Sequence, residues 1–122
     1  MIVAGIGYRK AATLADLREA LALTGTRPDA LASVAAKAGG AVLTELAAEL
    51  NLPVIAVTES CLGGTKTPTR SARIEGRFGT GCLSEAAALL AAGDGAGARI
   101  TVTRVKTANG MATAAIAERI PS

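Results

Sequence analysis

The sequence predicts an α/β protein with a mixed, mainly parallel sheet that ends in a C-terminal β-hairpin. Three observations lead there. The runs Ile2-Val3-Ala4-Gly5-Ile6-Gly7 and Val54-Ile55-Ala56-Val57-Thr58 are short and β-branched, as buried strands are. Between and after them, apolar residues recur at helical spacing, and strand–helix–strand–helix–strand order implies parallel pairing through right-handed crossovers. Near the end, Asn109-Gly110 separates two strand-like runs as a hairpin signal. The 122 residues fit one domain, 1–122, large enough to bury a core without disulfide staples.

The first strand is expected at 2–7, with Tyr8-Arg9-Lys10 at the turn that follows. Thr13 is the expected N-cap of a helix running to Leu23, with Leu14, Leu17 and Leu21 on one stripe, Asp16 near the positive end and Gly25 as the stop. Leu31-Ala32-Ser33-Val34-Ala35-Ala36 is short enough for a second strand, although its alanines leave a helix open; Lys37 stands just past it. A second amphipathic helix over 41–50 places Leu43, Leu46, Ala47 and Leu50 inward and Glu45 and Glu49 outward. Asn51-Leu52-Pro53 breaks it, and 54–58 reads as the clearest buried strand. The segment 63–69 is a loop by composition and a candidate lid. Gly76-Arg77-Phe78-Gly79-Thr80-Gly81 then runs into an apolar helix over 82–90. From Arg99 to Lys106 the residues alternate, with Ile100, Val102, Arg104 and Lys106 on one face and Thr101, Thr103 and Val105 on the other; 111–118 returns antiparallel.

Composition narrows the function. Apolar content is mostly Ala, Leu, Val and Ile, with Tyr8 and Phe78 the two aromatics, so the core should be layered and built from small residues. Single-strand nucleic-acid binders offer more stacking aromatics, which argues against nucleic acid. The chain has no histidine, and Cys61 and Cys82 form no CxxC pair, which removes histidine-based triads and common zinc sites; no metal or cofactor is expected. The opening apolar run is too short for a signal peptide and no 18-residue apolar run occurs, so a soluble, cytoplasmic protein without membrane contact is the expectation.

The net charge of +3 is concentrated: Lys66, Arg70, Arg73 and Arg77 against Glu75 hold the whole excess, and the other nine basic and nine acidic residues cancel. A helical turn over 71–77 would put the three guanidinium groups on one face, towards the glycine-rich helix start. Such a start favours an anion, through free N–H groups and the positive end of the helix dipole. The competing reading is a solvated charged loop. At the first turn, Gly5-x-Gly7-x-x-Lys10 lacks the third glycine of the dinucleotide fingerprint, so a nucleotide-binding module is a minor alternative. The glycines there are better explained by close packing of helix on strand.

Three motifs carry a family resemblance. Gly5-Ile6-Gly7-Tyr8-Arg9-Lys10 resembles the Gly-x-Gly-Cys-Arg-Arg/Lys start of the cobalamin-biosynthesis CobE and CbiG C-terminal domain family, with Tyr8 where cysteine is usual. Ala32-Ser33-Val34-Ala35-Ala36-Lys37 resembles its small-residue strand ending in lysine. Glu85-Ala86-Ala87-Ala88-Leu89 matches its Glu-Ala-Ala-Ala-Leu helix start, with Cys82 and Leu83 in the Ser-Val positions. Where the family often continues Lys-x-Asp-Glu this chain has Lys37-Ala38-Gly39-Gly40, so an acid–base role for that pair has no counterpart.

The resemblance implies a three-layer α/β/α sandwich and a part in building the corrin ring. The free-standing relatives look like accessory or carrier proteins for precorrin intermediates, tetrapyrroles with many carboxylates around an apolar ring. The expected binding residues are Gly5, Gly7, Tyr8, Arg9, Lys37, Arg70, Ser71, Arg73, Arg77, Gly79, Thr80, Gly81, Cys82 and Leu83. The cations would meet carboxylates by charge-assisted hydrogen bonds, and the N–H groups near 79–83 would receive another. The alternative is a hydrolase that opens a cobalt-precorrin ring lactone with release of acetaldehyde, as the larger CbiG proteins are associated with. It asks for a general base, and Glu85 in a first helical turn reads better as a cap. Cys82 reads better as a packing residue than as an activated thiol. No catalytic residue is therefore assigned. Other pathway enzymes are candidate partners, and an oligomer through the hairpin edge at 99–118 stays open.

Overall fold

β1 (Ile2–Tyr8) is the middle strand of a five-stranded sheet ordered β3-β2-β1-β5-β4. The structure is a computed structural model that describes residues 1–57, 83–93 and 98–119, apart from the side chains of 36, 37 and 83. In chain order β1 is followed by α1 (Leu14–Leu23), β2 (Ala30–Val34), α2 (Ala35–Ala38), α3 (Ala41–Leu50), β3 (Val54–Val57), α4 (Leu83–Gly93), β4 (Ala98–Lys106) and β5 (Ala112–Arg119). β1 pairs parallel with β2, and β2 with β3; β5 pairs antiparallel with both β1 and β4. The predicted mixed sheet with its terminal hairpin is present, and helices cover both faces.

The two faces follow from the two-residue period of the strands. Ala4, Ile6, Leu31 and Ile116 point to one side, where they meet Leu17 of α1 and Leu43 and Leu46 of α3. Val3, Ala32, Val34 and Ala117 point to the other, against Ala86, Ala87, Ala88 and Ala92 of α4. A helix whose inner face is alanine can lie close to a sheet. At Gly5 it does: a Cβ there would stand 1.9 Å from the Ser84 carbonyl oxygen and 2.9 Å from the Ala88 nitrogen. Glycine is required because the space is filled by helix backbone.

Local signals account for most element ends. Thr13 caps α1 in a reciprocal box: the Asp16 N–H donates to Thr13 Oγ1 at 3.3 Å and the Thr13 N–H donates to Asp16 Oδ2 at 2.8 Å. Asn51 closes α3 in the left-handed region at φ 56°, and the Leu52 N–H returns to the Ala47 carbonyl at 2.9 Å. In β2, the buried Ser33 hydroxyl donates to the Ile6 carbonyl at 2.8 Å and ties the two parallel strands.

Four expectations are revised. β2 ends at Val34, not at residue 36, because Ala35 and Ala36 open α2; alanine favours a helix once the buried register ends. β3, expected as the clearest buried strand, is an edge strand of four residues of which only Val57 is buried. The alternation expected along β4 is broken by register shifts between Ile100 and Val102 and between Val102 and Val105. Ile100 therefore packs on the α4 side while Val102 and Val105 both pack on the α1 and α3 side. Finally, the Asn-Gly signal does mark the hairpin, but the turn is longer than a two-residue one. Gly110 has φ +72° and its N–H donates to the Thr107 carbonyl at 2.9 Å, while Asn109 keeps a negative φ.

Candidate functional site

α4 runs against the direction of β1. Its Ser84 carbonyl lies beside Gly5, and Gly93 at its other end lies beside Arg119, whose N–H bonds the Met1 carbonyl. The start of α4 therefore faces the carboxyl ends of β1, β2 and β3, the end at which open α/β sheets receive ligands. The β4–β5 hairpin turn reaches the same end, since Tyr8 pairs with Ala112 and Lys106 with Thr113.

Several of the expected residues collect here. Arg9 leaves β1 exposed and is fixed twice to the hairpin: its N–H donates to the Met111 carbonyl at 2.8 Å and its Nε to the Gly110 carbonyl at 3.2 Å. A guanidinium carries five N–H donors, so one bond to Gly110 orients the group and leaves the others for an anion. Tyr8 is half-buried against the leucine-rich cluster, and burial pushes its phenol above the ordinary value. Lys37 belongs to α2, three residues beyond the end of β2, and Leu83 is the first residue of α4. Gly7 faces β5, where a Cβ would meet Thr113 Oγ1 at 2.7 Å, a side-chain atom that can turn away. Gly5 is different: the room it leaves is taken by α4 rather than left open towards a ligand. Arg70, Ser71, Arg73, Arg77, Gly79, Thr80, Gly81 and Cys82 lie outside the described residues.

The residue read as a cap of α4 reaches further than its own helix. Glu85 is fully buried, and its Oε2 accepts the main-chain N–H of Arg104 at 2.8 Å, in the irregular stretch of β4. The carboxylate thus holds the bulged strand against the helix.

One network was not foreseen. Asp16 Oδ1 accepts from Asn109 Nδ2 at 2.8 Å and Glu19 Oε2 accepts the Ala108 N–H at 3.1 Å, so the acidic flank of α1 grips the hairpin tip. Asn109 Oδ1 also takes the Thr107 hydroxyl at 2.7 Å and the Met111 N–H at 3.0 Å. The Thr13 main-chain bond, and next the Asn109 amide, hold the Asp16 carboxyl below its ordinary value. The tip that positions Arg9 is thereby itself positioned. Asp16 had a visible local role as a helix-start acid, and its partner 93 positions away carries no signal in the sequence. Among the described residues no group of three or more His, Cys, Asp and Glu side chains is placed to hold a metal ion. None of their helices is long and apolar enough to cross a membrane.

Comparison with known proteins bears on this arrangement. The family described as cobalamin synthesis G C-terminus matches residues 2–117. The chain belongs to that family. Among solved structures, it is similar to CobE, a protein from the cobalamin (vitamin B12) biosynthetic pathway, with a TM-score of 0.82 and 28% identity over 100% of this chain and 92% of that one. It is also similar to the cobalamin biosynthesis protein chiG from Agrobacterium tumefaciens str. C58, with a TM-score of 0.72 and 35% identity over 99% of this chain and 100% of that one. No curated protein matches. The resemblance expected from the three sequence motifs is thus met across the fold, and the chain is a cobalamin-biosynthesis protein of CobE and CbiG type.

Proposed function

We propose that this chain is a single-domain accessory or carrier protein that binds a corrin-ring intermediate through its peripheral carboxylates. The observation that carries the reading is Arg9, held by its Nε to Gly110 at the carboxyl end of β1. It shares that end with the start of α4 and with α2, which bears Lys37. An intermediate with several acetate and propionate arms needs separated anion contacts around an apolar ring, and charge-assisted bonds from Arg and Lys give them direction. The cations Arg70, Arg73 and Arg77 and the N–H groups of residues 79–83 are assigned to the same site by their place before α4. Gly7, Tyr8, Ser71 and Cys82 complete the assignment.

The test is retention of colour. Purified protein mixed with a coloured corrin intermediate should carry it through gel filtration at low salt, and Arg9→Ala and Arg77→Ala should each lower retention about tenfold, the loss of one charge-assisted contact. Failure to retain colour at any ionic strength overturns the carrier reading. Release of acetaldehyde from a cobalt-precorrin lactone above buffer would replace it with the hydrolase reading.

A further inference from the structure

The opposite end of the sheet carries a hollow that the corrin reading does not use. It lies between the C-terminal ends of α1 and α3, where the chain turns into β2 and β3, as an open pocket of about 380 Å³. That volume falls within the range of small-ligand sites. The hollow exists because Ala22 and Gly25 are small where α1 ends, while Leu21, Leu46, Leu50 and Leu52 form apolar walls. Leu46 is buried; the other three leucines are half-buried, packed against the core yet open to the cavity.

The rim has a definite sign. Arg18, Arg27 and Glu49 border the cavity, and Glu49 is engaged by Arg18 through two hydrogen bonds. That pairing holds the Glu49 carboxyl below its ordinary value and raises Arg18, so both keep their charge near neutral pH. Arg27 is exposed, and among the described residues no carboxylate pairs with it. An apolar hollow with one uncommitted guanidinium at its mouth complements a molecule with an apolar body and a single anionic head. A cationic head would face two guanidinium groups and a carboxylate that is already engaged.

We propose that the hollow between α1 and α3 binds a small amphiphilic carboxylate, its apolar body against Leu21, Leu46, Leu50 and Leu52 and its head on Arg27. The site is separate from the carboxyl end of the sheet, so it stands whether or not a corrin binds there.

Octanoate is a suitable probe and octylammonium its charge-reversed control, both followed by amide chemical shifts of isotope-labelled full-length protein. Octanoate should give saturable shifts confined to residues 21–28 and 46–52. It should bind about tenfold more tightly than octylammonium, because only the carboxylate gains a charge-assisted bond. Arg27→Glu, at an exposed position, should erase or reverse that preference with the spectrum otherwise unchanged. Ala22→Phe, also at an exposed position on the cavity wall, should abolish binding of both. Shifts that never saturate, shifts spread over the surface, equal affinity for the two probes, or an Arg27→Glu variant that keeps the preference would each overturn the proposal.

Discussion

The two faces of the sheet are packed by different means. On the α1 and α3 side, large leucines interlock with Ile6 and Ile116, and a hollow walled by leucines remains where α1 ends in Ala22 and Gly25. On the α4 side, alanines and a glycine bring helix backbone against strand backbone, and what fixes the position is contact between main chains. A loss on the first face costs stability but leaves the helices in place, whereas a gain on the second must move α4. The positioning consequence is direct, because the alanine face sets the start of α4 at the carboxyl end of the sheet.

The largest expected effect comes from adding volume on the close face. Gly5→Val places its Cβ inside the Ser84 carbonyl, an atom of the helix backbone that can yield only by moving α4 as a whole. It should cost at least about 3 kcal/mol of unfolding free energy, at or beyond the top of the usual range for overpacking. Leu43→Ala on the other face removes a fully buried side chain and should cost roughly 2–5 kcal/mol without displacing α4. Urea unfolding measures both losses, whose expected ranges overlap. Amide shifts of residues 83–93 separate them: Gly5→Val should move these resonances and Leu43→Ala should leave them in place. If both variants leave α4 undisturbed, the contrast between the faces fails.

A smaller effect is expected where α4 meets the edge. Glu85→Gln keeps the shape and can still accept from Arg104 but removes the charge, and should lower stability by about 1–2 kcal/mol. Denaturant unfolding together with hydrogen exchange of the Arg104 amide checks this; an amide as protected as in the parent would show that the charge is immaterial.

The smallest effect is a pH response at the hairpin tip. Asp16 has a folded value below its unfolded one, so its contribution is present above the unfolded value, near about pH 4, and is lost as pH falls through the lower folded value. The Asn109 side-chain amide should shift as the pH is lowered from about 4 into that acidic range. An Asn109 signal that is flat across it would mean that the tip does not depend on the Asp16 charge.

What the sequence disclosed follows the range of the forces involved. Thr13 and Asp16 are three positions apart, and the leucines of α1 and α3 repeat within a turn or two, so caps and stripes were legible. The edge position of β3 was not, because a buried and a half-exposed parallel strand share the run Val54-Ile55-Ala56-Val57 and differ only in their neighbours. β4 looked regular because the carboxylate that takes the Arg104 N–H lies 19 residues earlier. Of the candidate site, the place of Arg9 at the turn after β1 was legible, but its bond to Gly110 spans 101 positions and had no local trace.

The irregular course of β4 has a consequence for how the sheet ends. A straight outer strand would offer a continuous row of unpaired main-chain groups, to which another chain could add itself. Here the row is interrupted by two register shifts, one main-chain N–H is drawn inward to Glu85, and Arg99, Arg104 and Lys106 are exposed along it. The same carboxylate that fastens helix to strand thus makes this border a poor template, and guards the protein against growth of its sheet from one copy to the next.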